Sequence, residues 1–248
     1  MEKRVSAKPN KNGGLKTKAQ QLKAGMLKAY YGNPTKDMKV VAITGATGKT
    51  VVAHFVHEIL KAAGEQVAVL ASDQPFKLGT LHKFLSDAWK AGANVVIVTV
   101  PAEILRDNVF YGLPVYVAAM TNFVTSSLKD MTADEFIDSE KTLFDMKPDV
   151  VVLNHDDANY EKFEEFKGKL QTWSYGQTGR DVKILNSKLY PKGTEATLSI
   201  HTDILPVATF MPGETAVSYM ACAAAIASAM KVDSEKIAEG IAEWMPEE

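Results

Sequence analysis

Five short apolar, β-branched runs set the tightest limit on what this chain can fold into. They lie at 38–44 (MKVVAIT), 66–71 (QVAVLA), 94–100 (NVVIVTV), 115–120 (VYVAAM) and 149–154 (DVVVLN). Each is apolar over most of its length, so both faces of such a strand must be covered. Helical patterns at 49–63, 81–91 and 133–144 supply the cover. Strands buried on both faces and mostly separated by helices predict a parallel sheet with helices on each side. A chain of 248 residues, 46% hydrophobic, can fill a core of that size.

The pattern changes after residue 154. A helical stretch at 160–167 leads into shorter, alternating strands at 171–175, 182–190, 196–201 and 205–210. Turns at Gly176, at Gly179 and at the Pro191, Lys192, Gly193 triplet divide them. These predict an antiparallel extension of the main sheet. Helices at 214–230 and 234–244 close the pattern. The first is rich in alanine and carries Cys222, the single cysteine, which reads as a buried, inert thiol.

Charge is unevenly spread. The chain as a whole carries a net −2, which excludes a globally basic nucleic-acid binder. Residues 1–39 nevertheless hold ten Lys/Arg against Glu2 and Asp37, a local +8, which leaves −10 on the remainder. Residues 1–14 read as a polar, basic, disordered tail. From Leu15 an apolar stripe of Leu15, Ala19, Leu22, Met26, Ala29 and Tyr30 follows helical spacing, and residues 15–37 form the helix and its lead-in to the first strand. Such a helix either docks on its own domain with solvated lysines or lies on an anionic membrane surface. No apolar run approaches the ~20 residues of a membrane span. The opening residues lack the apolar core of a signal peptide. With one cysteine and no disulfide framework, the cytoplasm is the expected compartment.

The chemical signal sits between the first strand and the helix that follows it: Thr44, Gly45, Ala46, Thr47, Gly48, Lys49, Thr50. Glycines let the backbone wrap a phosphate without a Cβ clash. Main-chain N–H groups and the helix N-terminus attract its charge. Lys49 is placed to neutralise the terminal phosphates, and the Thr50 hydroxyl to ligate Mg²⁺. The spacing, Gly-x-x-Gly-Lys-Thr, is two residues shorter than the usual P-loop.

Further segments, taken in order with this loop, carry a family resemblance. Tyr30, Tyr31, Gly32, Asn33, Pro34 precede the first strand, and Thr47 stands where the loop "TG[TA]NGKT" has asparagine. Met120, Thr121, Asn122, Phe123 match an "fTNL" strand end. Lys141, Thr142, Leu143, Phe144 resemble the "KxxLF" helix, and the run from Val152 to Asp157 resembles "vlNxDD". The alanine-rich stretch after Gly213, followed by Lys231 and Val232, completes a series from about Tyr30 to Trp244. The sequence resembles the central ATPase domain of the Mur ligases, most closely the UDP-N-acetylmuramoyl-tripeptide synthetase branch.

The resemblance implies a P-loop-type, mostly parallel α/β fold over residues 38–248 and an ATP- and Mg²⁺-dependent ligase. That ligase joins a carboxylate to an amine through an acyl phosphate in peptidoglycan-type metabolism. It implies that Gly45, Ala46, Thr47, Gly48, Lys49 and Thr50 hold the triphosphate, and that Asn154 and Asp157 lie near the base or sugar. Lys141 matches a lysine that is carbamylated in several members and places a second Mg²⁺.

Other positions depart from the pattern. Thr99 stands at the family's Mg²⁺-binding glutamate and Glu103 at its metal-binding histidine. Glu103 is either a substitute metal carboxylate or a first-turn acid favoured by the helix dipole. The family's "DHLD" reads Ser126, Ser127, Leu128, Lys129, and its asparagines after Gly213 read Ala216 and Tyr219. The substrate-binding domains on either side of the central domain have no counterpart in the sequence, so a partner chain is expected to supply them. The alternative expectation is a catalytically degenerate nucleotide-binding module that regulates an interaction.

Overall fold

The computed structural model describes residues 11–72, 75–124, 131–166 and 168–245. Nine strands form a single sheet: β1 (Lys39–Thr44), β2 (Val67–Leu70), β3 (Val95–Thr99), β4 (Val117–Met120), β5 (Val150–Asn154), β6 (Gln171–Gly176), β7 (Val182–Tyr190), β8 (Gly193–Ile200) and β9 (Asp203–Thr209). Their spatial order is β2-β3-β1-β4-β5-β6-β7-β8-β9. The helices are α1 (Lys11–Tyr30), α2 (Lys49–Ala62), α3 (Leu78–Lys90), α4 (Ala102–Arg106), α5 (Ala133–Asp145), α6 (Glu214–Ala229) and α7 (Ser234–Glu243), with 3-10 turns at Pro34–Lys36 and Tyr160–Phe166.

The five apolar runs are the five parallel strands β1–β5; β1, β3, β4 and β5 are buried on both faces as their composition requires, while β2, at the edge of the sheet, is half-buried. Along β1, Val41 and Ile43 face α2, α6 and α7, whereas Val40 and Ala42 face α3, α4 and α5. Chain order reverses beside β1, which lies between β3 and β4. The carboxyl ends of β1, β3 and β4 therefore meet at a switch point, the usual place for a ligand in an open α/β sheet.

The extension departs from its expected form in one respect. β6 pairs parallel with β5 over five residue pairs, from Val150↔Gln171 to Asn154↔Tyr175, and β7 joins β6 in parallel through Tyr175 and Gly176. Only β7–β8 and β8–β9 are antiparallel. The physical reason is the crossover through Tyr160–Phe166, which carries the chain back to the level at which β5 begins, so that β6 runs alongside it in the same direction. Asp181 then accepts hydrogen bonds from the Ser174 N–H (2.7 Å) and hydroxyl (2.9 Å), turning β7 outward past the end of β6.

Helix α7 presses on α2 through Gly240, where a Cβ would collide with the Ile59 backbone. Gly240→Ala gains about 1 kcal/mol of helix propensity but forces apart two close-packed backbones, and overpacking of this kind costs about 1–3 kcal/mol. The expected outcome is a net loss of stability, read as a lower urea midpoint. An unchanged midpoint would mean that the helices separate freely.

The N-terminal helix begins at Lys11, inside the stretch read as tail. It docks through a face other than the one its stripe suggests. Ala24 and Leu27 pack against the core, while Leu22, Met26 and Tyr30 are 63%, 62% and 80% exposed. The turn after the helix imposes this. Gly32 and Asn33 both adopt positive φ, and the Tyr31 and Asn33 N–H groups close on Leu27 and Lys28 carbonyls, which sets the angle at which α1 meets α3. No helix among the described residues is long and apolar enough to cross a membrane.

Candidate nucleotide site

The loop between β1 and α2 is shaped by two glycines. Gly45 and Gly48 adopt φ of +121° and +79°, which disfavour any side chain. A Cβ at Gly45 would strike Thr121 Oγ1 and the Asn122 backbone, and one at Gly48 would strike the Tyr219 ring. Gly48 caps α2, so the first N–H groups of that helix lie around the loop. The Lys49 side chain is only 8% exposed and folds inward, its ammonium donating to Gly45 O at 2.9 Å and Ala46 O at 3.5 Å.

Asn122 clamps the loop from the end of β4. Its carbonyl accepts the Ala46 N–H (2.9 Å), its Oδ1 accepts the Thr47 N–H (3.0 Å), and its Nδ2 donates to Thr47 O (3.2 Å). The Thr121 hydroxyl adds a bond to Thr47 O at 2.7 Å. Behind this clamp, the Tyr175 hydroxyl donates to Thr121 O at 2.7 Å. Burial holds the Tyr175 phenol well above its usual pKa. Burial also pushes the neighbouring Cys222 thiol up to about 12, consistent with the inert role its helix suggested.

Asn154 and Asp157 belong to the same network. Asn154 Nδ2 donates to Thr121 O (3.3 Å), and Asp157 Oδ2 accepts the Phe123 N–H (2.7 Å). The side chains expected beside the nucleoside thus tie the end of β5 to the strand end that bears Asn122. Neither Asn122 nor Tyr175 stood out in the sequence as a site residue, although Asn122 lay within the quoted Met120–Phe123 run.

A second group lies at the carboxyl ends of β1 and β3. Glu140, on α5, is fully buried, and neither carboxylate oxygen has a hydrogen-bond partner. Desolvation by burial raises its pKa to about 8, against the lowering pull of the Thr44 hydroxyl and the Lys49 ammonium, and Glu103 raises it further. Glu103 is half-buried in the first turn of α4. Lys141, the next residue along α5, is paired with Glu165 at 2.6 Å. Thr99 is buried, accepting the Ser72 N–H at 2.7 Å and donating to Ser72 O at 3.0 Å. Residues 126–129 lie outside the described residues.

These residues fit a bound nucleotide with Mg²⁺. The loop is a cradle that a Cβ at Gly45 or Gly48 would spoil, its ammonium is turned inward, and two carboxylates with the Thr50 hydroxyl offer the hard oxygen donors Mg²⁺ prefers. The Tyr219 ring, 7% exposed, lies against Gly48 with its hydroxyl 3.4 Å from Thr47 Oγ1, closing that side of the loop.

Comparison with known proteins shows the family to which this fold belongs. The Mur ligase middle domain model matches residues 43–227. A UDP-N-acetylmuramoyl-L-alanyl-D-glutamate–2,6-diaminopimelate ligase of Bacillus licheniformis is 29% identical over 236 residues, covering 86% of this chain and 48% of the relative. Among solved structures, MurF from Acinetobacter baumannii superposes with a TM-score of 0.78 at 21% identity, covering 91% of this chain and 50% of that one. MurF from Thermotoga maritima, solved in complex with ADP, gives 0.69 at 16% identity, covering 87% and 52%. The chain spans about half the length of the curated relatives it matches. With the family model covering most of the sheet and the whole loop from Gly45 to Thr50, the chain belongs to the Mur ligase middle domain family.

Proposed function

We propose that this chain is the ATP-binding portion of an amide-forming ligase that joins a peptide carboxylate to an amine in cell-wall precursor synthesis. The observation that carries the reading is the clamped loop, with Lys49 turned onto Gly45 O between a buried strand and the start of α2. Bound ATP would supply the phosphoryl group that activates a carboxylate, with Mg²⁺ screening the charge between the two anions. Gly45, Ala46, Thr47, Gly48, Lys49 and Thr50 hold the phosphates. Asn154 and Asp157 hold the strand end that clamps them, and Thr50 and Glu103 would hold the metal. Lys141 remains a candidate for a catalytic part, with Glu165 as its present partner. Family membership supports the ligase reading and lends no support to the degenerate alternative that the departures at Thr99 and Ser126 suggested. The surfaces that bind the carboxylate and the amine are proposed to come from further polypeptide.

Calorimetry with ADP and a non-hydrolysable ATP analogue tests the nucleotide. Binding should also raise the melting temperature, because ligand at 100 times Kd adds about 2.7 kcal/mol to folding stability. A melting curve unmoved by saturating nucleotide would remove the basis of the proposal. Phosphate release that requires both a UDP-sugar peptide and an amino acid would identify the ligase, whereas release independent of both would contradict it.

A further inference from the structure

We propose that α1 is a membrane-surface element: its outward face seats on an anionic lipid bilayer while its inner face stays docked beside α3. The inference is independent of the nucleotide reading, and each can fail without the other.

The two faces of the helix are separate. Ala24 and Leu27 pack on the core, where α1 meets α3. On a helix of ~3.6 residues per turn, Ala19, Leu22, Met26, Ala29 and Tyr30 fall on the side away from them, and all five are exposed. Leu22, Met26 and Tyr30, spaced four apart, form a line of large side chains in contact with solvent. The Tyr30 ring stands edge-on to Tyr31, 5.0 Å between centroids, at the end of that line. Apolar side chains exposed in a line, rather than singly, mark a surface that another body covers.

Charge identifies the occupant. The helix sequence carries Lys11, Lys16, Lys18, Lys23 and Lys28, with no acid and no arginine. Lys23 is exposed next to Leu22. The local +8 over residues 1–39 stands against −10 over the remainder, so an anionic surface attracts α1 and repels the body behind it. A second copy fits poorly, because pairing two such helices sets lysines against lysines. A nucleic acid would engage the lysines and leave the apolar line in water. Lysines without arginine suit a diffuse layer of charge better than the fixed carboxylates of a protein partner, since an ammonium makes no fork. A bilayer uses every feature: headgroup phosphates for the lysines, the acyl boundary for Leu22 and Met26, and the interface for the amphipathic Tyr30 ring.

The test is co-sedimentation of the full chain with phosphatidylcholine vesicles, with and without phosphatidylglycerol. Binding is expected only where phosphatidylglycerol is present, and it should be lost in about 1 M NaCl, where charges are screened within ~3 Å. Leu22→Ser with Met26→Ser should weaken binding about tenfold or more, and Lys23→Glu about tenfold. Melting temperatures should be unchanged, because all three side chains are exposed. No binding to either vesicle overturns the proposal, as does equal binding to both. Full binding by the double serine variant also overturns it, since charge alone would then be at work. Should that variant not fold, Lys23→Glu decides: reduced binding supports the proposal and full binding overturns it. Polyglutamate bound as tightly as the vesicles would assign the face to an acidic protein. A dimer that the serine substitutions dissociate, without vesicle binding, would assign it to a second copy, and either result overturns the bilayer.

Discussion

Lys49→Ala should weaken binding of ADP or an ATP analogue by about 30- to 150-fold, with the fold retained. A charge-assisted hydrogen bond from a shielded ammonium is worth about 2–3 kcal/mol, and each 1.4 kcal/mol is tenfold in Kd. Lys49 is 8% exposed, so little of that attraction is lost to solvent. The variant also removes the bond to Gly45 O, but Asn122 and Thr121 still hold the loop through Ala46 and Thr47. A modest fall in melting temperature with a large loss of affinity is therefore the expected pair of results, measured by calorimetry and thermal unfolding. Unchanged affinity would mean that the phosphates lodge elsewhere.

The second large effect concerns stability and pH. Glu140 has a folded pKa of about 8 against an ordinary value of 4.5, raised by burial. Between those values the folded chain holds a proton that the unfolded chain has released, so stability falls as pH rises from about 4.5 to 8. The full penalty is up to about 5 kcal/mol, at 1.36 kcal/mol per unit. Glu140→Gln has nothing to release. It should match the unaltered chain near pH 4.5 and exceed it increasingly up to pH 8, in urea unfolding without metal or nucleotide. Parallel pH profiles for the two proteins would show that Glu140 is hydrated or paired in solution.

Much of this was legible beforehand because its cause is local. Runs such as Asn94 to Val100 admit no wet face, so the buried parallel strands followed from composition, and Gly45, Gly48 and Lys49 announced a loop that must bend sharply and carry charge. Glu140 was legible in principle. It occupies a core position on the apolar stripe of α5, with Phe136, Ile137, Leu143 and Phe144, all buried, and a carboxylate there has no structural excuse. It was overshadowed by Lys141, whose match to a family motif drew attention to the neighbouring side chain.

Helix α1 shows the opposite case. Its spacing defined a plausible apolar face, yet the turn at Gly32 and Asn33 aimed a different one at α3. The sequence by itself determined the strands, the loop and the chemistry available at their junction, since backbone propensity, burial and charge act over a few neighbouring residues. The tertiary structure alone decided that Asn122 grips Thr47 from 75 residues away, that Lys141 turns to Glu165, and that Glu140 stands unpartnered beside Lys49 and Glu103. Those contacts join separate strands and helices, and only the order of strands in the sheet brings their ends together.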